Sequence, residues 1–596
     1  MRKLKKREPR FAPHTKSDWA DNEIPQGKRT LKYRFFEILP GFFSYFLIAL
    51  LVILSIVAPI WGSIYLLIII TITLVKAVGV AYRTVQGYGI VKRAEKVDWR
   101  QRLVDLETPH DSFERHYAAE VKRLKLLDVA RLKHNKKDEE ELEKYAFHIE
   151  DHIANLKMMA ADDDYLDDGK YNGSAKSRFL NPKKVYHAIV MVAYNEGIET
   201  LGPSIEAVKN STFPKERIIF VLGYEERGGA EIEKTAKKLK EEYEGVFKDF
   251  IIVKHPDGIP GEIKGKGPNL CYAAEELSRY VEKKKIPAEN VIVTSLDADN
   301  RMSEKYLDYT AYEFVTRPNR QKLSYQPVSL FMNNIWDATA PCRVIAISNS
   351  FFNIISTMRP HTLKNFASHS QPLKALQDMD YWSKRTIVED GHQYWRSLFH
   401  FHGDYEVIPV HVPIYQDAVI EETFWKTLKA QFIQLRRWDY GASDVAFVGV
   451  RLFSRDRKRV GKMGFFGLFA KFWRLLDGHV MLAAMSPIVA FGGWVPRLVN
   501  YDSRDLLTYN LPDTVSIVQM FAAVGLLATI VVSLRMIPPK PKKYHRIPKI
   551  VMVIQWVLMP IVAIVYQSFA AFYSQTRLML GLYMEKFDVT RKVVKK

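Results

Sequence analysis

From Ile38 to Val75 the chain carries no charged residue, and the apolar positions run on without the polar face that a surface helix keeps. At 1.5 Å per residue, such a run crosses a hydrocarbon core of roughly 30 Å twice. Pro59, Trp61 and Gly62 interrupt it, which predicts a helical hairpin turning there with the indole at an interface. Past residue 460 come three more uncharged windows, Gly478 to Pro496, Thr514 to Leu534 and Ile550 to Thr576, each long enough to span. The middle of the chain has a different rhythm. Between 183 and 300, short apolar runs (YHAIVMVAY, RIIFVLGY, FIIVKH, VIVTSLDAD) alternate with helical segments, the pattern of a parallel α/β sheet whose ligands bind beyond the carboxyl ends of the strands. Residues 90 to 180 are densely charged, with KHNKKDEEELEK and ADDDYLDDGK around a weak heptad pattern at Leu124, Leu127, Ala130 and Leu132. That stretch reads as a solvated helical spacer.

The chain then divides into a basic N-terminus (1–37), a transmembrane hairpin (38–82), a charged spacer (83–182), an α/β domain with interface helices (183–460), a transmembrane region of about three helices (461–576) and a basic tail (577–596). The net charge of +20 invites a nucleic-acid reading, but much of the excess flanks the apolar runs, as in MRKLKKREPR and PPKPKKYHRIPK. It reads as orientation signal and attraction to anionic lipid, with no nucleic-acid partner. Two cysteines, Cys271 and Cys342, make no disulfide framework and suit a cytosol-facing domain. The polar, basic start is not a secretory signal peptide, so the anchor stays and the protein is expected in the cell membrane as a multi-pass chain.

Loop charges fit that orientation in part. The loop with Asp502, Asp505 and Asp513 is poor in Lys and Arg and faces out, while that with Lys540, Lys542, Lys543, Arg546 and Lys549 faces in. Five spans would leave the tail outside, yet Arg577, Lys586, Arg591, Lys592, Lys595 and Lys596 favour the inside. Three resolutions stand at this point: a re-entrant window around Pro560, a further crossing hidden in Met463 to Asp477, or a tail that breaks the rule.

Candidate chemistry gathers where the apolar runs end. Asp297-Ala298-Asp299 follows a strand, so two carboxylates point the same way at a sheet's carboxyl edge, a donor set for Mg²⁺ or Mn²⁺ completed by diphosphate oxygens. Glu389-Asp390 lies among Tyr381, Trp382 and Trp395, rings that stack on sugar faces. Asp390, its pKa raised by burial, is the candidate general base; the alternative is an acid pair complementing a helix dipole. Gln434, Arg437 and Trp438 share adjoining helix faces, with arginine for a diphosphate and tryptophan for a sugar ring, or else they belong to a basic amphipathic interface helix. Lys264-Gly265-Lys266-Gly267-Pro268-Asn269 reads on its own as a surface turn. His361, His369 and His392 have no metal-ligand spacing and read as polar lining or structure.

Taken in order, Tyr194-Asn195-Glu196, Asp297-x-Asp299, Glu389-Asp390 and Gln434-x-x-Arg437-Trp438, flanked by apolar spans, resemble the family 2 processive-type membrane glycosyltransferases, the group of cellulose and hyaluronan synthases. The resemblance covers about 185 to 460 plus the spans. It implies an α/β GT-A domain beside an α-helical transmembrane bundle, an inverting displacement and a metal-assisted nucleotide-sugar donor, UDP-sugar favoured, with a glycan or lipid-linked acceptor. By motif match, Ala193, Tyr194, Asn195 and Glu196 line the nucleotide pocket, Asp297 and Asp299 hold diphosphate and metal, and Asp390 beside Glu389 is the base. Gln434, Arg437 and Trp438 meet donor diphosphate and acceptor, and Lys266, in what looks like the family's Lys- and Gly-rich loop, reaches a phosphate. Two departures stand out. Where relatives carry Asp after the second strand, this chain has Glu225 and Glu226, either of which substitutes, and Val388 stands where Thr is usual. The competing function class is a non-catalytic membrane receptor for a nucleotide sugar or glycan.

Overall fold

A computed structural model describes residues 22–136, 138, 149–162, 178–454, 463–501, 506–544 and 550–586. The opening MRKLKKREPR, most of the acidic run 161–170, Asp502, Asp505, Arg546, Lys549 and the tail after Lys586 lie outside the described residues.

The hairpin forms as helices α1 (Leu31–Val57) and α2 (Pro59–Ala94). They turn at Ala58, and Pro59 opens the second helix, where its missing N–H leaves no bond unmade. Gly62 lets the two helices touch: a Cβ there would lie 2.9 Å from the Ser55 amide nitrogen.

The charged stretch contributes α3 (Trp99–Asp105), α4 (Pro109–Leu132) and α5 (Ile149–Ala160). These are docked, in contrast to a solvated connector. Trp99 stacks on Tyr309 with ring centroids 3.6 Å apart, and Leu103, Leu106, Leu156 and Met159 join the α/β core. Of the heptad positions, Leu127 and Ala130 are buried while Leu124 and Leu132 are exposed.

The four apolar runs become β1 (Tyr186–Ala193), β2 (Ile218–Glu225), β3 (Asp249–His255) and β4 (Val291–Asp297). These four pair in parallel with one another and are connected through α6 (Ile198–Lys209), α7 (Gly229–Glu242) and α8 (Lys266–Lys283). Burial on both faces explains their continuous apolar spelling: Val190 and Val221 face Leu270 and Leu277 of α8, whereas Met191 and Leu222 face Leu201 and Leu239. β5 (Arg301–Met302), β6 (Leu323–Leu330), β7 (Ser370–Pro372) and β8 (Glu406–Tyr415) complete one mixed sheet in the order β3-β2-β1-β4-β7-β6-β8-β5. β7 runs antiparallel between β4 and β6. Around this half lie α9 (Tyr306–Val315), α10 (Ala340–Thr357), α11 (Leu373–Asp378), α12 (Glu389–His400), α13 (Phe424–Asp439) and α14 (Asp444–Leu452). This is the GT-A architecture, with every parallel strand of the first half delivering its carboxyl end to one edge.

The remaining apolar windows are α15 (Gly464–Phe491), the short α16 (Trp494–Val499), α17 (Leu506–Met536) and a segment over Val551–Leu580. With α1 and α2, five helices are long and apolar enough to cross a membrane. Met463 to Asp477 is no crossing of its own, because it forms the first half of α15. The last segment is broken: Pro560 falls between a 3₁₀ turn (Gln555–Leu558) and a π turn (Val562–Ser568), after which α18 (Phe569–Leu580) resumes. Both its ends meet the α/β domain. Arg343 of α10 donates to Gln555 at 2.8 Å. At the far end Ser574 donates to the Arg436 carbonyl, and Leu578 packs with Ile387 and Tyr440. Its middle reaches the apolar bundle, where Ser568 donates to the Leu482 carbonyl of α15 at 3.3 Å. Beyond it, Lys586 bridges Lys264 on the domain.

Candidate active site

Lys266 is the first residue of α8, and its environment is built by glycine. A Cβ on Gly267 would lie 2.2 Å from the Ser383 carbonyl oxygen, so only glycine lets the loop before α12 close over this helix start. Closure brings three carboxylates around one ammonium: Lys266 Nζ lies 2.7 Å from Asp297 Oδ1, 3.0 Å from Asp390 Oδ2 and 3.2 Å from Glu389 Oε1. Asp297 ends β4, and Glu389 and Asp390 open α12, so the acid pair complements that helix's dipole and also faces the cleft.

Burial divides the labour within this cluster. The Lys266 and Glu389 side chains are 12% and 3% exposed, against 20% and 29% for Asp390 and Asp297. Burial opposes the charge on Lys266, but Asp297, Asp390 and Glu389 outweigh it and raise its pKa well above the ordinary lysine value. Burial, then the charge of Asp390, pushes Glu389 up to about 7, with Lys266 pulling the other way. The carboxyl that burial raises is therefore Glu389. His369 donates from Nδ1 to the Phe366 carbonyl at 2.9 Å and accepts at Nε2 from the Trp382 indole at 3.2 Å. Those partners assign the neutral tautomer, and burial lowers its pKa accordingly.

The cluster lies on the wall of a cavity of about 1740 Å³. Ala193, Tyr194, Asn195, Glu196, Glu225, Lys266, Asp297, Asp299, Glu389, Asp390, Gln434, Arg437 and Trp438 all line it. Glu196 accepts from the amides of Tyr194 and Asn195 at 2.7 and 3.1 Å, capping the end of β1. Glu225 pairs with Arg227, whose guanidinium sits 5.0 Å over the Tyr194 ring. Glu226 is not among the lining residues; it pairs with Lys254 at 3.4 Å and accepts from the Asp257 amide. Asp299 accepts from the Asp417 amide at 3.2 Å. Gln434 accepts from Gln431 at 3.2 Å, and Trp438 lies 6.0 Å from the Phe331 ring. Two aromatics go elsewhere: Tyr381 and Trp382 are buried core residues, Tyr381 bonded to Ser278. Trp395 is the ring of that group that lines the cavity.

Sequence reasoning missed several lining residues. Asp444 bonds His392 Nδ1 at 2.6 Å, which makes His392 part of the support for α12. Asp439 is buried with Oδ2 unpartnered, and burial raises its pKa well above the ordinary value. Arg359, Lys364 and Arg474 also line the cavity. No local spacing announces them, since each earns its place through tertiary packing. His361 stays exposed in a 3₁₀ turn.

For a divalent cation, Asp297 and Asp299 supply hard oxygen donors on one loop of the cavity wall, the donor chemistry Mg²⁺ or Mn²⁺ takes when diphosphate completes its shell. Among the described residues, the one group of three His, Cys, Asp or Glu with converging ligand atoms is elsewhere: Asp105, His116 and His152 on the docked spacer helices.

Residues 292–572 match the model of glycosyl transferase family group 2. That span holds both DxD carboxylates, the Glu389-Asp390 pair, the Gln434-x-x-Arg437-Trp438 motif and two of the apolar helices. Solved structures resemble the chain more distantly. The mannosyltransferase PcManGT from Pyrobaculum calidifontis, in complex with GDP-Man and Mn²⁺, is 13% identical with a TM-score of 0.34, over 58% of this chain and 86% of its own. S. aureus TarS 1–349 with UDP-GlcNAc is 12% identical with a TM-score of 0.29, over 55% and 92%. No curated protein matches. The fold assignment rests on the strand order and the family match. A GT-A sheet whose carboxyl edge opens on one cavity, and a family match that spans most of that cavity's lining elements, make this chain a glycosyltransferase, with helices beside it apolar enough for a membrane.

Proposed function

We propose that the protein is a multi-pass membrane enzyme of the processive-type group that transfers a sugar, with inversion, from a nucleotide diphosphate-sugar to a polysaccharide or lipid-linked acceptor. The observation that carries this reading is the single cavity shared by Asp297, Asp299, Asp390 and the Gln434, Arg437 and Trp438 set, which continues between apolar helices to Ala77 and Leu526. Tyr194, Arg227 and Glu225 form the nucleotide end, with a UDP-sugar favoured as donor. Asp297 and Asp299 hold Mg²⁺ or Mn²⁺, which when bound offsets the charge of the departing diphosphate. Lys266, already cationic among carboxylates, turns to that diphosphate when donor enters. Arg437 adds a planar, permanently charged partner, and Trp438 offers a face to the acceptor ring. Asp390 takes the acceptor hydroxyl proton, and Glu389, raised to about 7 by burial and the charge of Asp390, holds its proton through the acidic range and lowers the charge the pair carries there. The α/β domain faces the cytoplasm. Because both ends of Val551–Leu580 meet that domain, the segment dips in and returns, and the tail lies on the catalytic side.

The test is Asp390→Asn in purified full-length protein, given a panel of UDP- and GDP-sugars with and without Mn²⁺. Transfer should fall at least about 10²-fold, the usual contribution of a general base, while donor binding by calorimetry persists. Turnover at the native rate would remove Asp390 from the mechanism.

A further inference from the structure

The cavity has a second charged wall that the chemistry above does not use. Arg359 after α10, Lys364, and Arg474 on α15 line it, and Arg83 of α2 adds its field to that of Arg359. Among the described residues none of these four makes an ion pair or donates a side-chain hydrogen bond. Lys364 has only the Trp395 ring, 4.8 Å from its Nζ. The nearest acid, Asp444, is held by His392 at 2.6 Å. Burial, with the neighbouring charges of Lys471 and Arg474 in the same direction and Asp444 opposing, pushes Lys364 down to about 8. Like charges gathered on a recessed wall repel one another unless an anion completes them.

Two features say which anion. Arg83 follows the uncharged run that ends at Val75 in α2, and Arg474 precedes the one that begins at Gly478 in α15, which suits headgroup level for a lipid in the surrounding bilayer. Onward from them, Ala77 and Val80 of α2, Leu482 of α15 and Leu526 of α17 offer apolar surface to the cavity. Such a surface asks nothing of a hydrocarbon tail but burial.

We infer that the acceptor is a lipid phosphate: a membrane lipid whose phosphate or diphosphate sits on Arg359, Lys364 and Arg474, whose tail follows Ala77, Val80, Leu482 and Leu526, and whose sugar hydroxyl reaches Asp390. This rests on the glycosyl-transfer reading. In the step, the acceptor oxygen bonds the anomeric carbon, the bond from that carbon to the donor diphosphate breaks with its electron pair leaving on the diphosphate, and the hydroxyl proton goes to Asp390.

Binding separates this inference from the catalytic one. Full-length protein in discs of neutral phosphatidylcholine is titrated with farnesyl phosphate, farnesol and inorganic phosphate, following tryptophan fluorescence. Farnesyl phosphate should bind at least about tenfold more tightly than either fragment, and Arg359→Gln with Arg474→Gln should weaken it about tenfold to hundredfold, the worth of one or two charge-assisted bonds. UDP-sugar affinity should hold, and Arg359→Lys with Arg474→Lys should restore most lipid affinity. Should the double variant fail to fold, Arg474→Gln alone, at an exposed side chain, should give a several-fold loss. Equal affinity for farnesyl phosphate and farnesol, or for inorganic phosphate, overturns the lipid phosphate. So does displacement of the lipid by an acidic oligosaccharide at lower concentration than by farnesyl phosphate itself. If lipid binding behaves as expected while Asp390→Asn retains full turnover, the catalytic reading fails and the acceptor site stands.

Discussion

Replacing Lys266 by methionine keeps the reach of the side chain and removes the cation at the centre of three carboxylates. In the native protein Glu389 rises from an ordinary 4.5 to about 7 through burial and the charge of Asp390, and Lys266 is the neighbouring charge that opposes the rise. A carboxyl whose folded pKa exceeds its unfolded value favours folding below the unfolded value and loses that contribution as pH climbs through the folded one. Glu389 therefore works increasingly against stability from pH 4.5 to 7. In Lys266→Met the window extends above 7, because the counter-charge is gone. Breaking a buried ion cluster on one side costs about 3–5 kcal/mol when the stranded charges have no escape. Protonation is the escape here, so the full loss is expected near pH 8 and only a small part of it near pH 5. Between those limits it changes by about 1.4 kcal/mol per pH unit for each additional proton the folded state retains. The assay is thermal unfolding of native and variant protein side by side in detergent across that range. A gap between them that stays constant with pH, or no gap at the alkaline end, would refute the ammonium's role as the counter-charge of the cluster.

Asp439→Asn should stabilise. The native carboxyl is buried, unpartnered at Oδ2 and raised well above its ordinary pKa, so it opposes folding more as pH rises; the variant should gain roughly 1–3 kcal/mol near pH 8 and little near pH 5, read as a pH-dependent rise in Tm. For topology, Lys586→Cys and Glu231→Cys, both at exposed positions, should react with an impermeant maleimide from the same side of sealed vesicles. The two native cysteines are buried and leave the background low. Labelling from opposite sides would mean that Val551–Leu580 crosses completely.

The parallel half of the sheet was legible because strands buried on both faces spell continuous apolar runs, and because the residue ending each run must sit at the carboxyl edge. That logic brought Asp297 and the Tyr194 turn to the right edge. It said less about side chains whose partners are far along the chain. Lys266 read equally well as a surface turn, since the residue that makes it a buried clamp, Asp390, is 124 positions away. Glu225 and Glu226 were interchangeable on paper, yet consecutive residues leaving a strand point to opposite sides, and only the first turns to the cavity. Tyr381 and Trp382 looked like sugar platforms by composition; with Tyr381 at φ 55°, the chain there turns both rings into the core. The spacer misled through its average charge, because Trp99 and His152, which dock it on Tyr309 and Tyr312, are isolated among charges.

The broken final segment and the two charged walls belong to one arrangement. Irregular backbone at membrane depth is tolerated only where it lines a polar cavity or is covered by protein, and the interrupted stretch Val551–Leu580 places Trp556, Met559 and Gln567 on the wall of this one. The lining of that cavity carries two charged sets, Asp297, Glu389 and Asp390 around a single lysine, and Arg359, Lys364 and Arg474. In a recess of low dielectric such a separation of charge orients whatever enters. An acceptor with a charged headgroup and a neutral hydroxyl is held by its charge on the basic wall, which leaves the hydroxyl as the end presented to Asp390. An acceptor without that charge meets no such constraint and lies across the cavity in either direction. On the proposed reading, raising ionic strength should erode acceptor selectivity before it erodes donor binding, because Lys266 is buried among its carboxylates while Arg474 is exposed and open to screening.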